Sequence, residues 1–182
     1  MQEAIANLDN IILYAVQAVG SFWYYPAWFF SEVVVSTHWL APALALALLL
    51  IGKRRVALEL ILIFIVATGF IVGTKQLVES PRPYWNDTQV VQYVVDEDFG
   101  MPSGHAVVSV VILGWLWWRH PKSIILSAAV PFFILMVGLS RVYLGLHYPS
   151  QVIAGWVLGA LLLWLFLWLD RWYFRPRDTH HI

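Results

Sequence analysis

Three short segments of this 182-residue chain carry cations and histidines at spacings that suit phosphoryl transfer. The first runs from Lys75 to Arg82-Pro83, the second is Pro102-Ser103-Gly104-His105, and the third runs from Ser140-Arg141 to His147. Lys75, Arg82 and Arg141 supply fixed positive charge for a phosphoryl group, and an arginine can grip two oxygens at once. Ser103 and the Gly104 N–H stand where a helix is expected to begin, so the helix terminus adds donors and partial positive charge. Glycine there lets a phosphate approach the backbone closely. Of His105 and His147, one can attack phosphorus and the other can protonate the leaving oxygen, because imidazole titrates near neutrality. No metal-ligand spacing such as HExxH is present, and this chemistry calls for no metal and no cofactor.

These residues need elements to hold them, and the composition says what kind. The chain is 60% hydrophobic, 16% aromatic and only 12% charged, against about 25% charged in an average soluble domain. Mean hydropathy is +0.71. The formal charge is zero and there is no cysteine. Those counts exclude a basic nucleic-acid binder, disulfides and thiolate metal sites. The acidic opening MQEAIANLD does not read as a secretory signal peptide. What remains is an all-α integral membrane bundle, a single domain over 1–182.

Five apolar windows, 33–52, 56–74, 104–119, 123–144 and 149–170, suit a hydrocarbon core about 30 Å thick. Trp115, Trp117 and Trp118 are expected at one interface, and Pro131 should kink its helix without breaking it. Residues 1–32 are apolar enough to tempt a sixth span. Asp9, Asn10, Gln17, Pro26 and Trp23-Tyr24-Tyr25 read instead as interfacial helices before a core over 33–170 and a tail over 171–182. Gly69-x-x-x-Gly73 and Gly155-x-x-x-Gly159 are expected to pack helices closely within the bundle.

With five spans, one side carries Lys53, Arg54, Arg55, Arg119, Lys122, Arg171, Arg175 and Arg177, which is eight of the eleven basic residues. The positive-inside rule makes that side, and the C-terminus, cytoplasmic. If the cell is bacterial the membrane is the inner one, and the three motifs face the periplasm or the exterior. On that outer face the only cations are Lys75, Arg82 and Arg141, among eight acidic residues. A cation at span depth is costly and points to function. His38 is read as a satisfied polar residue in its span, and His120, His180 and His181 as solvated.

Taken in order, KQLVESPRP, PSGH and SRVYLGLH resemble the three motifs of the type 2 phosphatidic-acid phosphatase superfamily, membrane phosphatases whose helical core is shared with vanadium haloperoxidases. The resemblance implies that His147 is the nucleophile forming a phosphohistidine and that His105 protonates the leaving group. It also implies that Lys75, Arg82, Ser103, Gly104 and Arg141 bind phosphoryl oxygens. One position departs: where the general pattern has an aspartate four residues after the nucleophile, this chain has Gln151. Its carbonyl can accept from the histidine Nδ1–H, since i and i+4 share a helix face, but cannot offset an imidazolium. Alternatively Asp87, Asp96, Glu97 or Asp98 substitutes for the missing carboxylate, or the enzyme is weakened. HYPSQVIAG with RPYW resembles the glucose-6-phosphatase and dolichyl-diphosphatase branches, where Gln is usual.

A site at the membrane surface suits a lipid substrate held in the bilayer. Polyprenyl (undecaprenyl) diphosphate is the first choice, with phosphatidate, phosphatidylglycerophosphate and a sugar phosphate as alternatives. Tyr84, Trp85, Tyr93 and Phe99 either line the mouth of the site or are simply interfacial. A lipid phosphotransferase and a non-catalytic lipid-head sensor are the competing classes. Oligomeric state is not legible.

Overall fold

The computed structural model describes residues 2–34 and 39–174; His38, Arg175, Arg177, Asp178, His180 and His181 lie outside them. Among the described residues the chain is helical, with no strand. Helix α1 spans Gln2–Gln17 and is followed by short helical turns, including α2 (Tyr24–Trp28), up to Val34. The core is α3 (Leu40–Leu50), α4 (Arg54–Val78), α6 (Gly104–Arg119), α7 (Ile124–Tyr143) and α8 (Pro149–Leu169), with a four-residue α5 at Pro83–Asn86.

Helices α4, α7 and α8 are long and apolar enough to cross a membrane. The α6 window is matched to the residue, but with 16 residues α6 falls below full span length. The first window is corrected most. Pro42 stands in the first turn of α3, where its missing N–H costs no bond within the helix. At the other end Gly52, at φ 78°, turns the chain into α4. Helix α3 keeps 11 residues. Pro131 sits inside α7, which continues through it, as a membrane helix allows.

Helix α6 is the central element, packed against α4, α7 and α8. Val107, Val111, Ile112 and Trp115 join Leu60, Ile63, Val137 and Leu162 in the core. Trp115 thus faces the core of the bundle, whereas Trp117 is exposed and donates to Ser127 Oγ at 3.1 Å. Gly155 and Gly159 make the α6–α8 contact possible. A methyl at Gly155 would sit 2.7 Å from the Ser103 carbonyl, and one at Gly159 would sit 2.8 Å from the Val107 carbonyl. Gly69 and Gly73 behave otherwise: both face open space on α4, so the expected packing role is overturned for that pair.

The outward faces carry Ile65, Leu77, Ile124 and Leu161, all exposed. Leaving each in water would forgo about 1.5–3 kcal/mol of burial, so these faces belong in hydrocarbon. The chain is an integral membrane protein.

Helix α1 does not cross the bundle. Asp9 accepts from Ser150 N at 2.8 Å, in the first turn of α8, and Gln17 Nε2 donates to the Tyr143 carbonyl at 3.0 Å, at the end of α7. Those two helix termini are joined by residues 144–148 and share one end of the bundle. Eight helical residues cover only about 12 Å, so α1 lies across that end.

Candidate active site

The three motifs meet at the end that α1 covers. Lys75 comes from the last turn of α4, and Glu79, at φ 49°, ends that helix. Arg82 immediately precedes Pro83, the first residue of α5. Ser103 caps α6, so Gly104 and His105 occupy its first turn, where backbone N–H groups have no partner within the helix. Arg141 ends α7. Gly145, at φ 76°, then turns the chain toward His147; a methyl there would strike the Val91 carbonyl at 2.4 Å. Gln151 lies in the first turn of α8, behind Pro149.

The cations are buried and are tied together by two carboxylates. Lys75 Nζ is 2.6 Å from Asp98 Oδ2, and Arg82 pairs with Asp98 Oδ1. Arg82 also meets Asp96 Oδ2 at 2.7 Å, and Arg141 reaches the same oxygen at 3.7 Å. The Arg82 side chain is 0% exposed, while Asp96 and Asp98 are 36% and 52% exposed. Burial alone would raise the Asp98 carboxyl, but Lys75 and Arg82 outweigh it and hold the group below the usual carboxylate range. Arg141 is held from its other side by Ser31 Oγ at 2.5 Å and Glu32 Oε1 at 3.3 Å. The N-terminal segment thus contributes to the site. The Ser103 hydroxyl and Arg141 Nε are buried and make no hydrogen bond among the described residues.

His147 is 1% exposed. Its Nδ1 lies 2.8 Å from the Gly100 carbonyl, and its Nε2 lies 3.4 Å from Arg82 Nη1. A carbonyl oxygen only accepts, so Nδ1 carries the proton and Nε2 the lone pair. Burial first, then the charges of Arg141, Arg82 and Lys75 and the nearby His105, push this imidazole well below its ordinary value. The ring is a neutral base with its lone pair beside a cluster of cations. That arrangement suits attack on an anionic phosphorus centre.

Gln151 does not play the part expected of it. Its Oε1 accepts from Tyr148 N at 3.2 Å, and its Nε2 donates to Ser80 Oγ at 3.0 Å and to the Pro81 carbonyl at 2.8 Å. The partner of His147 Nδ1 is the Gly100 carbonyl. Three of the loop carboxylates do not substitute either: Asp96 and Asp98 bind cations, and Asp87 accepts from the Tyr14 hydroxyl. Gly100, Ser80, Ser31 and Glu32 are thus site residues that sequence reasoning missed. The one available cue was the acidic run Asp96-Glu97-Asp98 just before the second motif.

Two of the four loop aromatics are structural. Tyr93 stacks on Tyr143 with centroids 5.2 Å apart, and the Tyr84 hydroxyl holds the Asp96 backbone. Trp85 and Phe99 pair edge to face at 6.0 Å, with Trp85 exposed.

Fold and site together define a helical membrane protein with a histidine pair and a cation cluster at one end of the bundle. The chain belongs to the PAP2 superfamily, whose family model matches residues 56–175. Among known proteins it is similar to an undecaprenyl-diphosphatase of Sulfolobus acidocaldarius, at 30% identity over 68% of this chain and 60% of that one. It is also similar to glucose-6-phosphatase 3 of Bos taurus, at 30% identity over 63% of this chain and 40% of that one. The chain thus spans less than two thirds of the length of these relatives. In fold it matches the crystal structure of a transmembrane PAP2-type phosphatidylglycerolphosphate phosphatase from Bacillus subtilis. The TM-score is 0.79, with 23% identity over 97% of this chain and 90% of that one.

Proposed function

We propose that this chain is a membrane phosphatase that hydrolyses a lipid phosphate or diphosphate through a phosphohistidine, without a metal. The observation that carries the reading is the convergence of Lys75, Arg82 and Arg141 on one pair of carboxylates beside a neutral His147. Carboxylate oxygens on those cations mark where phosphoryl oxygens would bind. Substrate displaces Asp96 and Asp98, and the Ser103 hydroxyl, the Gly104 N–H and Arg141 Nε add donors. His147 Nε2 forms a bond to phosphorus as the ester or anhydride oxygen leaves, and His105 gives that oxygen its proton. Water then attacks the phosphohistidine while His105 takes a proton from it. The P–N bond breaks, inorganic phosphate leaves, and both histidines return to their starting states.

A lipid is favoured over a soluble sugar phosphate by an apolar groove of about 240 Å³ between the N-terminal helices and α7. Val16, Trp23, Ala27, Phe30, Leu139 and Tyr143 line it. Its wall residues Phe30 and Ser140 adjoin Ser31 and Arg141 of the phosphate site, so a hydrocarbon tail in the groove would leave its head beside Arg141. Polyprenyl diphosphate is the first substrate to try. The site faces the periplasm or the exterior, by the asymmetry of basic residues.

The test is phosphate release by purified protein in detergent from polyprenyl diphosphate, phosphatidate, phosphatidylglycerophosphate and glucose 6-phosphate. Release from a lipid, inhibition by vanadate, indifference to EDTA and loss of activity in His147→Ala are expected. Release from none of the four, or inhibition by EDTA, overturns the mechanism.

A further inference from the structure

We propose that Gln151 is a positioning residue that acts on His147 through the Gly100 carbonyl, which takes the place of the usual orienting carboxylate. The inference rests on reading His147 as the nucleophile. The carbonyl lies 2.8 Å from Nδ1 and fixes both the ring plane and the tautomer that leaves Nε2 free.

Gly100 lies in a loop between α5 and α6, and a loop carbonyl alone is a poor fixture. Two contacts make it rigid. The Gly100 N–H donates to the Ser80 carbonyl at 2.8 Å, and the Gln151 amide lies flat against the glycine. A methyl at Gly100 would come within 2.6 Å of both Gln151 Nε2 and Oε1. Only glycine lets the amide close onto the peptide that carries the acceptor.

The amide is itself fixed. Tyr148 N–H requires an acceptor and the Pro81 carbonyl requires a donor, so the orientation of the side chain is determined by its partners. Its backbone carbonyl also accepts from Ser103 N at 3.1 Å, which joins the first turn of α8 to the cap of α6. A carboxylate cannot meet these demands. It has no N–H for the Pro81 carbonyl, and it would set two oxygens together where Gln151 is 1% exposed. This accounts for glutamine where the family pattern has aspartate: the histidine proton is already taken by a backbone carbonyl, and the side chain at 151 braces the segment that supplies it.

Gln151→Glu, nearly isosteric, is the test, measured on the whole protein in detergent with the lipid the wild type hydrolyses. We expect kcat to fall about 10–100-fold, as for other residues that orient a reacting group indirectly, with KM within about twofold. The ¹⁵N spectrum of His147 should change from a single Nδ1–H form to one with Nε2–H populated. A direct carboxylate-type role would predict the opposite, an unchanged or higher kcat. Ser80→Ala keeps the question open to test if Gln151→Glu does not fold. It removes one acceptor of the brace and should lower kcat about 2–10-fold with the same spectral change. Unchanged kcat and an unchanged His147 spectrum in the folded variants overturn the inference while the phosphatase reading stands. A wild type inactive on every substrate overturns the phosphatase reading itself, and the ¹⁵N spectra then still decide whether Gln151 sets the tautomer.

Discussion

Asp98 spans two of the three site cations, with one carboxylate oxygen 2.6 Å from Lys75 Nζ and the other on Arg82. An anion held there competes with any phosphoryl group for the same donors. Asp98→Asn should therefore tighten binding of vanadate and inorganic phosphate. Because the carboxylate is 52% exposed, solvent screening limits the pair to about 0.5–1 kcal/mol, or roughly two- to fivefold in the inhibition constant. The gain should shrink with added salt. Weaker binding in the variant would show instead that Asp98 holds the two cations in place for substrate.

The depressed basicity of His147 sets two pH dependences. In the free enzyme the imidazole stays neutral, so the acid limb of kcat/KM should lie well below pH 6.5, the ordinary histidine value. Bound phosphoryl oxygens offset Arg141, Arg82 and Lys75, which are among the groups that depress it. The acid limb of kcat should accordingly lie higher than that of kcat/KM. Stability follows by linkage: below about pH 6.5 the unfolded chain binds a proton at this histidine that the folded one refuses. Tm should fall as pH drops through that value, and His147→Gln should lessen the fall. A kcat/KM limb at or above pH 6.5 would contradict the assignment.

The two glycine pairs should respond to alanine with opposite signs. At Gly155 a methyl would sit 2.7 Å from the Ser103 carbonyl and 2.8 Å from Ala106 Cβ. Gly155→Ala should cost about 1–3 kcal/mol through overpacking and should also disturb the cap of α6. At Gly69 nothing lies within 4 Å. Gly69→Ala should be neutral or stabilise by up to about 1 kcal/mol, the helix-propensity difference. Thermal unfolding in detergent reads both, and a destabilised Gly69→Ala would point to a contact made by that face in the membrane.

These glycines illustrate what was legible in the sequence. The pattern Gly-x-x-x-Gly is the same in α4 and α8, and the difference lies in what faces it, which only the assembled bundle supplies. The limits of α6, α7 and α8 could be read because Ser103, Ser123 and Pro149 punctuate strongly apolar runs. The grouping of Lys75, Arg82 and Arg141 was legible for a similar reason, since cations at span depth stand out against hydrocarbon. Gly100 did not stand out, because its contribution is a backbone carbonyl and any residue type has one. Ser31 and Glu32 meet Arg141 across 109 or more positions of sequence, and no local periodicity encodes such a pairing. Gln151 was given the wrong partner, because His147 precedes α8 and the two residues do not share a helix face. Spacing fixes direction along a helix, and the loop that comes between was invisible to it.

Arg141 offers the strictest test of the cation cluster, because its charge can be kept while its geometry is removed. The guanidinium works in two directions, with Nη1 on Ser31 and Glu32 and Nη2 toward Asp96, and its Nε–H is left without a partner among the described residues. Lysine carries the same charge on one nitrogen and has no Nε fork. It can satisfy the Ser31–Glu32 side or the phosphate side, but not both. Arg141→Lys should therefore keep the fold, since Glu32 and Asp96, both about one third exposed, still meet a cation. It should lose about 10²–10³ in kcat/KM, the usual cost of removing one preorganised donor from developing charge. Vanadate, which resembles the five-coordinate transition state, should lose affinity by a similar factor, whereas ground-state phosphate should lose less. Equal losses for the two ligands would mean that Arg141 binds phosphate uniformly and contributes nothing specific to the transition state.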